Sequence, residues 1–119
     1  MEEYKLFDAE YRLMDLLWQR EPVNSTEFCR ICQEKLGWKK PTTYTMLRKL
    51  AQRGLLKNEH ATVSSCVKRE QVQQYESEVL LEKSFSGSLP VFLATFLRGK
   101  TLTQQEAEEL KRMIEEATK

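Results

Sequence analysis

Seven basic side chains and no acidic one lie between Lys35 and Lys57: Lys35, Lys39, Lys40, Arg48, Lys49, Arg53 and Lys57. The whole chain carries 19 Lys and Arg against 18 Asp and Glu, so its net charge of +1 conceals this block. Within it, KKPTTYTMLRKLAQRG reads as a helix with hydroxyls and cations on its outer face. That face suits a DNA major groove, where Lys and Arg meet phosphates and short polar or forked side chains meet base edges. A merely solvated helix usually mixes both signs of charge, and this one does not.

The other reactive residue types assemble no second centre. Cys29 and Cys32 form CRIC, a spacing that binds zinc or cycles as a redox pair in other settings. Here it falls mid-helix with no second such pair, and packing as small hydrophobes is the favoured reading. His60 and Cys66 flank a hairpin and could join those thiols around a metal, but no local pattern fixes that geometry. No metal and no cofactor is therefore expected. The single histidine has no partner that would make a catalytic pair, and there is no Gly-rich phosphate loop and no HExxH. The chain is not expected to be an enzyme. Glu106, Glu108, Glu109, Glu115 and Glu116 read as a solvated helix face.

At 119 residues, the chain has room for one domain, or one small domain plus an oligomerisation arm. No apolar run approaches the roughly 18 residues a membrane span needs. The acidic start MEEYKLFDAE lacks the apolar stretch of a secretory signal. With three cysteines, a complete internal pairing is impossible, and a reduced cytoplasm is the expected location.

Helical spacing predicts the elements that position the basic block. A first helix should start at Asp8, with Phe7 before it as a hydrophobic staple and a stripe of Tyr11, Met14, Leu17 and Trp18. Pro22 marks its exit. Asn24 with Glu27 three residues on reads as a capping box for a second helix, which buries Phe28, Cys29, Cys32 and Leu36 and stops at Gly37. The basic helix opens with Pro41. Thr43, Met46, Leu47, Leu50 and Gly54 fall on its inner side, and Pro41, Tyr44, Thr45, Arg48 and Gln52 on its outer side. LLKNEH and TVSSCVK then read as a hairpin turning near His60-Ala61, without an Asn-Gly signal.

After Lys68 the pattern changes. Val72, Tyr75 and Val79 mark a helix from about Arg69 to Phe85, broken by Ser86-Gly87-Ser88. A very apolar helix follows with Leu89, Val91, Phe92, Leu93, Phe96 and Leu97. Thr103 with Glu106 caps a last helix striped by Ala107, Leu110, Met113, Ile114 and Ala117. Three separate helices cannot bury that much apolar surface alone, so an intertwined homodimer is expected. Its interface should include Tyr75, Val79, Leu89, Phe92, Leu93, Phe96, Leu97 and Leu110. Phe92, Phe96 and Leu97 could instead line an effector pocket between subunits. The expected fold is mainly α with a small β-hairpin wing: a winged helix-turn-helix DNA-binding domain over residues 1–68, then a helical dimerisation region over residues 69–119. Its expected partner is a double-stranded, near-palindromic operator bound by the homodimer. A small-molecule-responsive regulator and a winged-helix protein adaptor are the competing readings.

FDAEYRLMDLLW with EPVNSTEF, then PTTYTMLRKLAQRGLLK, then LTQQEAEELKRMIEE, resemble the penicillinase-repressor family (BlaI/MecI type) over nearly the whole chain. The resemblance implies a cytoplasmic homodimeric repressor, in the best-known members controlling β-lactam resistance. Carried onto this sequence, its DNA contacts are Lys40, Thr42, Tyr44, Thr45, Arg48 and Lys49, with Thr42 and Lys49 suited to phosphates. Drug-sensing members are cut by a membrane metalloprotease at an Asn-Phe bond in the apolar helix. The matching bond here is Thr95-Phe96, a departure that puts induction by such a sensor protease in doubt. The copper-sensing branch ends in paired cysteines, whereas this tail ends EEATK. The wing also reads as a few residues short and without the family's aromatic strand.

Overall fold

The computed structural model describes residues 4–119. Met1 to Glu3, part of the acidic start read above, lie outside them. In chain order the elements are α1 (Asp8–Arg20), β1 (Val23–Asn24), α2 (Ser25–Leu36), α3 (Lys40–Gln52), β2 (Leu56–Glu59), β3 (Thr62–Ser65), α4 (Arg69–Phe85), α5 (Leu89–Leu97) and α6 (Gln104–Ala117). They fall into two compact units, one up to Val79 and one from Leu80 on.

The first unit closes around one core. Leu13, Met14 and Leu17 of α1, Phe28 of α2, Leu50 of α3, Val63 of β3 and Val72 of α4 are all fully buried. Each such side chain is worth about 1.5–3 kcal/mol of transfer free energy. The helix-period stripes of α1 to α3 are thus core faces, as their spacing predicts.

The helix ends are satisfied in mostly foreseeable ways. Asn24 Oδ1 accepts from the Thr26 and Glu27 N–H groups at 2.9 and 3.3 Å. The reciprocal half of the expected capping box is missing. Glu27 turns to Arg30, whose hydrogen bond holds the Glu27 carboxyl below the usual carboxylate range. Gly37 closes α2 at φ 72°, a left-handed conformation that glycine adopts without strain. Phe7 departs from expectation. It is the N-cap of α1 and stays 60% exposed, so it staples nothing. Its N–H instead donates to Glu10 Oε1 at 2.8 Å.

Two features of this unit have no signature in the spacing. The first is β1, only two residues long, which pairs Val23 with Val63 and Asn24 with Thr62 to make an antiparallel sheet of order β1-β3-β2. The second is the fully buried carboxylate of Glu10. Arg53 Nη1 donates to both its oxygens at 3.1 and 3.2 Å, and Arg53 Nη2 donates to the Lys5 carbonyl. This pair ties the start of α1 to the end of α3.

The hairpin holds Leu56 opposite Ser65 and Glu59 opposite Thr62. Its two turn residues, His60 and Ala61, have φ of 54° and 60°, both positive as a two-residue type I′ turn requires. Glu21 anchors β3 from the end of α1, accepting from the Ser65 N–H at 2.6 Å and from its hydroxyl at 2.8 Å.

The second unit holds no buried residue. Phe85 and Phe92 meet edge to face at 5.2 Å, and Phe92 stacks on Phe96 at 5.9 Å. Ser86 and Gly87, at φ 51° and 78°, break the chain between α4 and α5. Thr103 and Glu106 form the full capping box of α6, with Thr103 N–H donating to Glu106 Oε1 and Glu106 N–H donating to Thr103 Oγ1, both at 3.1 Å. No helix among the described residues is long and apolar enough to cross a membrane.

Candidate nucleic-acid interface

The site is the outer face of α3, and the inner face determines its orientation. Thr43, Leu47 and Leu50 are buried and define the side that packs on the core. Rotation by 100° per residue then turns Pro41, Thr45, Arg48 and Gln52 directly outward, and all four are exposed. Thr42 and Lys49, also exposed, lie on one flank. Lys40 and Tyr44 lie on the other.

Tyr44 is less free than the sequence suggests. It is half-buried against the core, and the Lys40 ammonium sits 6.0 Å from its ring centre. Its phenol also lies beside Cys29 of α2, opposing the rise that burial imposes on that thiol's pKa.

The basic block resolves into free cations and paired ones. Among the described residues Lys35, Lys39, Lys40, Arg48 and Lys49 are exposed without an ion pair. Arg53 is paired with Glu10, and Lys57 stands 3.8 Å from Glu59. Arg30 of α2 is neutralised by Glu27 and Glu34. The first turn of α3 has no acid and no side-chain cap, which leaves its positive end open to an anion. A polyanion approaching α3 therefore meets five unpaired positive charges and no opposing carboxylate on the helix itself.

Gln52 and Asn58 are positions the sequence did not single out as contacts. Gln52 is an exposed amide at the end of the outer face. Asn58 of β2 shares a groove with Tyr44, Leu47, Arg48 and Ala51. Register alone could not reveal Asn58, because its neighbours come from another element.

The residues expected at a subunit interface differ in exposure. Tyr75 belongs to the first unit, half-buried and edge-on to Tyr4 at 6.2 Å. Val79, Leu89 and Phe96 are 43%, 53% and 53% exposed, and Leu110 is 36% exposed. Phe92, Leu93 and Leu97 are half-buried, and Thr95, beside Phe96, is exposed. The thiols of Cys29 and Cys32 are buried, while Cys66 is exposed.

Three helices, the third of them basic with an open outer face, and a small antiparallel sheet define a winged-helix DNA-binding protein. Comparison with known proteins gives the particular kind. Residues 6–116 match the family described as penicillinase repressor. The penicillinase repressor of Bacillus licheniformis is 26% identical, over 94% of this chain and 91% of that protein. The methicillin resistance regulatory protein MecI of Staphylococcus aureus is 21% identical, over 93% of this chain and 94% of that one. The solution structure of the Bacillus licheniformis BlaI monomeric form in complex with the blaP half-operator is similar with a TM-score of 0.51 and 23% identity. That likeness covers 59% of this chain and 92% of the other, and at this identity it speaks for the fold. The chain belongs to the penicillinase repressor family, and is of the class of DNA-binding transcriptional repressors, which is not a class of enzymes.

Proposed function

We propose that the chain represses transcription as a homodimer on a near-palindromic operator, one α3 in the major groove of each half-site. The observation that carries this reading is the outer face of α3, where Thr45 and Arg48 stand exposed and unpaired among free cations. Arg48 has the forked donors that read guanine edges, and Thr45 is short enough to approach a base. Lys40, Thr42, Tyr44 and Lys49 flank them and suit phosphates, which set register without reading sequence. In a related protein, BlaI, the monomeric form binds a half-operator, which supports a half-site for each chain.

The winged-helix domain covers residues 1–68 in this reading, and residues 69–119 dimerise. The exposed and half-buried apolar residues of α5 and α6 supply the surface, with Leu89, Phe92, Leu93, Phe96, Leu97 and Leu110 at its centre and Tyr75 and Val79 along α4. The protein works in the cytoplasm. Proteolytic induction, where it operates, falls on Thr95-Phe96 in α5 and severs α6 from the DNA-binding domain.

Selection of genomic fragments by the purified chain, with sequencing, tests the reading. Enrichment of one near-palindromic site beside a promoter is the expected result. Equal, weak binding of every fragment, lost steeply with salt, would leave only the non-specific phosphate contribution.

A further inference from the structure

The buried group least explained by DNA binding is Cys29, Cys32 and Thr43, where α2 meets α3. Cys32 is fully buried, Cys29 is 4% exposed, and neither is in a disulfide. Thr43 Oγ1, reaching in from α3, is buried with no nitrogen or oxygen partner, and its interaction with the Cys32 thiol opposes the rise that burial imposes on that group. A groove lined by Thr26, Glu27, Gln33 and Lys40 leads to Cys29.

We propose that Cys29 and Cys32 are a two-coordinate site for a thiophilic ion of the Hg(II) or Ag(I) kind, and that its occupation displaces α3 and weakens DNA binding. The second half of this statement rests on the repressor reading above, and the first does not.

Spacing selects this chemistry. Side chains three apart on a helix have Cβ atoms about 5–6 Å apart. A disulfide needs about 3.5–4.5 Å. A structural zinc site needs four ligands, and among the described residues no group of three or more His, Cys, Asp or Glu could hold a metal. Two metal–sulfur bonds in line bridge the wider gap, and thiolates select soft ions. Burial raises both thiols, Cys32 to about 11, so they stay protonated and inert towards ordinary oxidants. A strongly thiophilic ion displaces those protons. Each thiol loses one proton to solvent as its metal–sulfur bond forms, and nothing is oxidised or reduced. Hg(II) leaves a neutral complex in the core. Ag(I) leaves one negative charge, opposed by the nearby Lys40 ammonium. In either case the Thr43 hydroxyl donates to a thiolate in place of a thiol. An added atom in a close-packed seam must move a neighbour, and the neighbours of Cys29 are Tyr44 and Lys40 of the DNA-facing helix.

The test titrates the DNA-free full chain with mercuric chloride and, separately, silver nitrate. Native mass spectrometry counts the ions, and ultraviolet thiolate-to-metal absorption reports the ligands. One ion per chain is expected, unchanged in Cys66→Ser and lost in Cys29→Ser and Cys32→Ser. Alkylation of the exposed Cys66 on the folded wild-type chain leaves Cys29 and Cys32 as the free thiols, and one ion still bound keeps the test decisive if a variant does not fold. Thr43→Val should keep the stoichiometry and weaken the site severalfold. Loaded wild-type chain should bind its selected DNA site at least tenfold more weakly, and Cys29→Ser should ignore the ion. An ion that follows Cys66, or a mass loss that signals a disulfide, would overturn the site. Unchanged DNA affinity in loaded chain would overturn the coupling. Failure of the repressor reading is separable, because it appears as absent site-specific binding before any ion is added. The two titrations distinguish monovalent from divalent occupants.

Discussion

The two units use similar apolar residues to opposite ends. Up to Val79, Leu13, Leu17, Phe28 and Leu50 are wholly withdrawn from solvent. From Leu80 on, Leu89, Val91, Phe96, Met113 and Ile114 are each more than half exposed, and nothing is buried. The first unit is complete as one chain. The second is a set of capped, well-formed helices whose apolar side chains stay exposed. Apolar side chains left open in such numbers are the material of an interface in the proposed homodimer. The contrast places the closed core in the first unit, and the proposed homodimer draws its surface from the second.

Paired truncations give the largest expected effect. Leu13→Ala should destabilise the first unit by about 3 kcal/mol, since a closed core relaxes little around a cavity. Ile114→Ala should leave the unfolding of that unit within about 0.5 kcal/mol, and should weaken self-association in sedimentation. Equal losses from both in thermal unfolding would break the distinction. Arg53→Ala tests the same unit through electrostatics. It strands the Glu10 carboxylate in the core, and the expected loss is about 3 kcal/mol by denaturant titration. A loss under about 0.5 kcal/mol, the scale of an ordinary surface substitution, would show that the Glu10–Arg53 pair contributes little. The smallest effect belongs to the wing tip. Ala61 sits at φ 60°, where an L side chain is strained, so Ala61→Gly should stabilise by about 1 kcal/mol. A drop in Tm would show that the turn is held against its preference by something other than the ladder.

Much of this organisation is legible in residue order. α4 and α5 begin and end where periodicity and the Ser86-Gly87-Ser88 break place them, and α6 starts behind its Thr103 cap. Such elements are readable because their cues are local. Glu10–Arg53 joins residues 43 positions apart, and nothing near Glu10 announces that its carboxylate will be buried. β1 is too short to show a period of two. The His60-Ala61 turn is foreseeable only as a gap between strands, because neither residue prefers positive φ. In the site, the 100° rotation identifies Thr45 and Arg48 as outward-facing. It also places Tyr44 outward, but not how far Cys29 and the core take up its ring. Arg53 counts as part of the basic block in the sequence. Its engagement with Glu10 depends on tertiary contact and has no local cue.

The central claim is that the outer face of α3 reads sequence. Its most direct test is titration of wild-type and Arg48→Ala chains against the selected near-palindromic site and a scrambled one, at fixed salt. The account predicts a loss of about 1–3 kcal/mol at the selected site for Arg48→Ala, with little change at the scrambled site. Equal affinity of the two chains for the selected site would contradict it.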